Sequence, residues 1–172
     1  MLNMLMARLR ITLALLMVSM LLGGCGFHLQ GRADPSPQVA PVYLQLPSRN
    51  TDLARELVRA LKVSKVPIAA SRDEASSVLE IVRDRSGREV ESISAQNRPQ
   101  EYRVFYSASY RVVAGDDVLL VPQSVTRTRI YTYDETEVLA KADEESLLRQ
   151  ALAREIAGVI ARRLATLEPP PE

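Results

Sequence analysis

The chain has 172 residues, with 22 basic and 21 acidic side chains, one histidine and one cysteine. Such a balance offers no concentrated positive charge for a phosphate backbone, which argues against nucleic acid, and a lone thiol excludes an internal disulfide and any thiolate metal cluster. All five methionines, two arginines and none of the acids precede Cys25, so the remainder of the chain is near neutral and, at roughly 148 residues, sized for one domain with one core.

The first segment is a leader. Arg8 and Arg10 precede an uncharged stretch from Ile11 to Leu22, closed by Gly23 and Gly24. That order predicts a secretory signal peptide over residues 1–24, too short and wrongly flanked to span a membrane. Leu22-Gly23-Gly24-Cys25 has the form of a lipobox, which predicts cleavage after Gly24, a diacylglyceryl group on the Cys25 thiol and a further, palmitate-type chain on the new amino terminus. Each buried methylene contributes about 0.8 kcal/mol and two chains already anchor stably, so Cys25 is the expected lipid attachment site. Residues 25–41, which include Pro35, Pro37 and Pro41, read as a lipidated tether.

A single α+β domain is expected over 42–168. Val42, Leu44 and Leu46 alternate as a short strand ended by Pro47, and Asn50 or Thr51 can cap a helix striped by Leu53, Leu57 and Leu61. Alternation resumes from Val78 to Ile93, with a turn or bulge expected at Ser86-Gly87. The clearest strand places Tyr102, Val104, Tyr106, Ala108, Tyr110 and Val112 on one face and Arg103, Phe105, Ser107, Ser109 and Arg111 on the other. Ala114-Gly115-Asp116-Asp117 supplies a turn, and Val118 to Tyr133 returns with an irregularity at Pro122. A connection is expected over 134–142, then a helix opened by Asp143-Glu144-Glu145, closed near Arg162-Arg163 and striped by Leu148, Leu152, Ile156, Val159, Ile160 and Leu167. Residues 169–172 form a Pro-rich tail. The order β-α-β-β-β-α, with one apolar stripe per helix, predicts a four-stranded sheet with both helices packed on one face.

Catalytic chemistry lacks its usual residues. His28, the only histidine, lies three positions from the expected lipid, no nucleophile and base can be paired with it, and the acids are scattered as on a solvated surface. No catalytic residue, metal ligand or cofactor is expected, and binding or assembly is the expected role. Tyr102, Tyr106 and Tyr110 suit either core packing or a sugar-stacking, partner-facing surface. Arg127 and Arg129 are expected on a solvated or partner-facing sheet face, whereas Arg98 and Lys141 are placed in connections from which charge can reach a ligand.

Cys-Gly-Phe-His-Leu directly after the lipobox (Cys25 to Leu29), Glu101-Tyr102 opening the Tyr-rich strand, and Leu139-Ala140-Lys141-x-Asp143 before the last helix resemble the LptE family of lipopolysaccharide-assembly lipoproteins. The resemblance spans nearly the whole chain after the leader. It implies a mixed four-stranded sheet with two helices, residence in the lumen of the outer-membrane barrel LptD, help in assembling that barrel, and a part in moving lipopolysaccharide into the outer leaflet with direct binding of it. Gly26, where an aspartate would resemble an inner-membrane retention signal, fits outer-membrane placement. By the same resemblance Lys141 matches a basic ligand-binding position before the last helix, and Arg98 is the nearest substitute for a second one that falls on Ala95 here. A plug and assembly factor without lipopolysaccharide binding is the second reading, and an unrelated cell-wall-binding lipoprotein the third.

Overall fold

The structure, a computed structural model, describes residues 39–167. The expected signal peptide, Cys25, His28 and the Pro-rich tail lie outside the described residues. The elements are β1 (Val42–Gln45), α1 (Asp52–Val63), β2 (Ser77–Ile93), β3 (Pro99–Ala114), β4 (Asp117–Thr132) and α2 (Val138–Ala165). They form one open mixed sheet in the order β1-β2-β3-β4, with β1 parallel to β2 and the other pairs antiparallel.

Local chemistry accounts for the element ends. Thr51 is the cap of α1, its hydroxyl accepting from the Ala54 N–H at 3.1 Å, and Asp52 in the first turn complements the helix dipole. Gly115, with φ of +57°, opens the two-residue turn between β3 and β4, a conformation that glycine adopts without steric cost. The expected break at Ser86-Gly87 is absent, because Gly87 pairs in register with Phe105 and β2 runs on unbroken; the bulges fall at Val82 and near Glu91. Gly87 instead makes room for an aromatic ring, since a Cβ there would stand 2.9 Å from Phe105 Cζ. In β4 the register slips between Leu120 and Gln123, around Pro122, as an edge strand permits for a residue without a backbone donor.

One face of the sheet is closed by both helices. Val104, Tyr106, Ala108, Tyr110 and Val112 of β3 are buried there with Leu79 and Ile81 of β2. Leu53, Leu57 and Leu61 supply the α1 stripe. In α2 two adjacent stripes are buried, one of Leu152, Ile156 and Ile160 and one of Ala153, Ala157 and Ala161, whose small side chains permit close approach. Val39, expected in the tether, is fully buried, and the Ser77 hydroxyl donates to its carbonyl, so the core begins ahead of β1. Between the helices Glu56 is buried and accepts from Arg59 at 2.7 Å and from Arg154 at 3.3 Å, tying α1 to α2.

Tyr106 ties α1 to the sheet. Its buried hydroxyl accepts from the Leu53 N–H at 3.2 Å and donates to Asp84 at 2.7 Å. Burial first, then the bond to Asp84, pushes the phenol well above its ordinary range. The folded chain therefore keeps this proton where the unfolded chain gives it up, near pH 10. Native protein then holds the extra proton, and stability, unaffected by this group below about pH 10, falls as pH rises above it. Tyr106→Phe should lower the unfolding free energy at pH 7 by about 1–3 kcal/mol and flatten its decline between about pH 9 and 11. Urea unfolding across that range checks both; an unchanged alkaline slope would contradict the assignment.

Candidate functional site

The face of the sheet away from the helices is a broad polar surface. Register puts Ser107 opposite Thr126 and Ser109 opposite Ser124. Their hydroxyls join in pairs, Thr126 to Ser107 at 3.0 Å and Ser109 to Ser124 at 2.8 Å. Ion pairs flank this strip, Arg111 with Glu80 at 2.7 Å toward one end and Arg103 with Glu91 toward the other. Phe105 lies between, with the Arg85 guanidinium 5.6 Å from its ring centre.

Arg127 and Arg129 do not belong to this surface. They pair across the ladder with Tyr106 and Val104, and residues directly opposite in a sheet share a face, so both arginines sit on the helix side. There Arg129 reaches Glu155 of α2 at 2.6 Å and Arg127 approaches it at 3.9 Å. Their alternation fits either face; only the register with β3 decides it.

Lys141 is also placed differently from the expectation. It lies in the first turn of α2, because that helix starts at Val138 and not at Asp143. The cap position, Glu137, makes no side-chain capping bond; in the turn ahead of it Asp134 accepts from both the backbone N–H and the hydroxyl of Thr136, at 2.8 and 2.7 Å, and these bonds hold its carboxyl below the usual range. The first helical turn needs no buried stripe: Val138 and Leu139 are exposed. Lys141 folds back on Glu144 at 3.0 Å with its side chain only 19% exposed, and that hydrogen bond, more than the nearby acids, raises its pKa. Glu144 and Glu145 are thus partners for cations, the latter for Arg88 and Arg149, and residues 143–145 do not open the helix.

Arg98 does sit in a connection, the turn between β2 and β3 where Asn97 has φ of +60°. It pairs with Glu135 at 2.8 Å. Tyr133 N–H donates to the Gln100 carbonyl and Lys141 N–H to that of Glu137, so Arg98 and Lys141 border the same 134–137 turn at one end of the molecule. Each already faces a carboxylate.

The same end holds a cluster that strand periodicity does not reveal. Tyr102 stacks on Tyr131 at 5.9 Å and meets the edge of Tyr133 at 5.2 Å. Arg88 lies 4.5 Å from the Tyr102 ring centre and donates to Glu145 at 2.8 Å and to the Tyr131 hydroxyl at 3.3 Å. The bond to Tyr131 raises the Arg88 pKa, and burial leads in raising that of Tyr131. Tyr106 and Tyr110 are core residues, whereas Tyr102 is half-buried in this cluster. The signal in the sequence was Tyr131-x-Tyr133 on the returning strand, whose partner across the ladder is Tyr102.

Residues 39–164 match the family described as "LptE: Lipopolysaccharide-assembly". The chain belongs to the LptE family. It is 28% identical over 159 residues to the LPS-assembly lipoprotein LptE of Pectobacterium atrosepticum, covering 91% of this chain and 85% of that one. Among solved structures, the rare lipoprotein B of Shewanella oneidensis superposes with a TM-score of 0.62 at 23% identity, over 73% of this chain and 93% of that one. An uncharacterized lipoprotein B of Nitrosomonas europaea gives 0.64 at 21% identity, over 72% and 81%. These two likenesses show that the sheet and helix arrangement is shared. As an LptE protein the chain works in lipopolysaccharide assembly and not in catalysis.

The geometry separates the LptE fold from the cations at its end. Lys141→Gln removes one ion pair made within a helical turn, to a carboxylate open to solvent, and changes no residue of the core, so its thermal midpoint should equal that of the parent within error. Calorimetry checks this, and a fall of several degrees would give Lys141 a structural role.

Proposed function

We propose that this LptE protein is an outer-membrane lipoprotein, anchored through Cys25, that plugs an LptD-type barrel, assists its assembly, and binds lipopolysaccharide on its way to the outer leaflet. The observation that carries the reading is the uncovered sheet face. A plug inside a barrel must present hydrogen-bonding groups to a polar, hydrated wall, and the ladder of Ser107, Ser109, Ser124 and Thr126 with its flanking ion pairs offers such groups across three strands. The relatives' description as lipoproteins and Leu22-Gly23-Gly24-Cys25 support the anchor.

Lipopolysaccharide carries phosphates, and the end bearing Arg98 and Lys141 supplies cations for them. Both are held by surface carboxylates, Glu135 and Glu144. The Arg98–Glu135 pair is exposed and contributes little net free energy, and Glu144 is open to solvent where it meets the less exposed Lys141, so a phosphate can replace either carboxylate and gain a stronger charge-assisted bond. Arg88 beside Tyr102 adds a guanidinium and an aromatic ring suited to a sugar.

Two outcomes test this reading. Cys25→Ala should abolish labelling by a palmitate analogue, and label persisting on that variant would remove the anchor. Lys141→Glu with Arg98→Glu should weaken lipopolysaccharide binding about tenfold or more, since a charged hydrogen bond contributes roughly 1.5–3 kcal/mol. Titration at two salt concentrations checks it. Unchanged affinity, with a large barrel still co-purifying from detergent-solubilised outer membranes, would leave a plug and assembly factor alone.

A further inference from the structure

The helix-covered face is incompletely closed at the β1 end. Leu44 pairs with Leu79 and so points to the helix side, and Leu46 lies two residues on with the same alternation, yet both remain only partly buried. A groove of about 570 Å³ opens there between β1, α1 and the segment after Pro67, within the range of roughly 300–1,000 Å³ typical of small-ligand sites. Its floor is apolar, made by Leu44, Leu46, Val58 and Ile68, and its rim carries Arg49, Arg55, Arg59 and Lys62 with no acid in the lining.

Helical spacing produces this arrangement. Ala54 and Val58 are one turn apart on the flank of α1, and Arg55, Arg59 and Lys62 run beside them toward solvent. Arg55 and Arg59 pair with Asp52 and Glu56, both outside the groove lining. Arg49 and Lys62 have no ion-pair partner among the described residues.

We propose that this groove binds an acyl chain bearing a phosphate headgroup, with the chain on Leu44, Leu46 and Val58 and the phosphate held by Arg49 and Lys62. Charge complementarity selects an anionic headgroup, and the apolar floor selects a hydrocarbon tail. An added peptide strand fits less well: the Val42 N–H and C=O are already bonded to Pro67 and Ala69, which leaves at most the Leu44 peptide groups on that edge. The site is separate from Arg98 and Lys141. β1 pairs with the first residues of β2, up to Glu80, whereas Arg98 comes after its last, Ile93, about 40 Å away at roughly 3.3 Å per residue. The proposal goes beyond the barrel and lipopolysaccharide reading and does not depend on it.

The test uses the mature chain with Cys25→Ser, which prevents acylation and leaves every core residue in place, titrated with dodecyl phosphate below its micelle concentration. The expected result is saturable amide NMR shifts centred on Leu44, Val58 and Ala69, with dodecyl maltoside and inorganic phosphate each binding at least tenfold more weakly. Arg49→Glu with Lys62→Glu, at exposed positions that leave the fold intact, should weaken dodecyl phosphate at least tenfold. Val58→Trp should block it by filling the groove. Scattered or absent shifts, equal affinity for dodecyl maltoside, an indifferent charge variant, or tighter binding of an extended acidic peptide would each overturn the proposal. Any of these results leaves the lipopolysaccharide titration at Lys141 and Arg98 standing on its own.

Discussion

The rest of the structure depends on the burial of one face of β3. A strand turns alternate side chains to opposite faces, so once Val104, Tyr106, Ala108, Tyr110 and Val112 are buried under the helices, Arg103, Phe105, Ser107, Ser109 and Arg111 are committed to the other side. Ladder pairing extends that decision sideways. It places Thr126 and Ser124 beside Ser107 and Ser109, and it carries Arg127 and Arg129 to the helix side where Glu155 meets them. A slip of one residue would exchange the two faces and expose the core. Fold and polar surface are thus set by the same pairing.

The core shows two ways of joining helices to that sheet. Apolar contact supplies most of the attachment, through the leucines of α1 and the paired Leu/Ile and Ala stripes of α2. A few buried polar groups fix the geometry. Tyr106 aligns the start of α1 through the Leu53 N–H, and Glu56, shared by Arg59 and Arg154, sets one helix against the other. A buried carboxylate left without its cations would be costly, which makes Glu56 a constraint on helix placement more than a source of stability.

Much of this was legible in the sequence, for identifiable reasons. Strand and helix periods mark elements where a face is buried, so β3, α1 and the second half of α2, from Leu148 onward, could be read directly. The first turns of α2 could not: Val138, Leu139 and Leu147 are exposed, so no stripe announces a helix, and the acids at 143–145 mimic an N-terminus that lies five residues earlier. Gly87 looked like a turn because glycine also serves where another side chain needs space, here the ring of Phe105. The faces of Arg127 and Arg129, and the gathering of Tyr102, Tyr131, Tyr133 and Arg88, depend on register between strands, which a single segment does not encode.

Contact between the uncovered sheet face and the barrel wall is the central element of the proposed function. A photo-reactive benzoylphenylalanine placed singly at Ser107 or Thr126 on that face, and at Leu147 or Arg163, exposed positions of α2, tests it in living cells. A barrel-sized adduct is predicted from Ser107 and Thr126. Adducts from the α2 positions alone, with none from the sheet face, would contradict it.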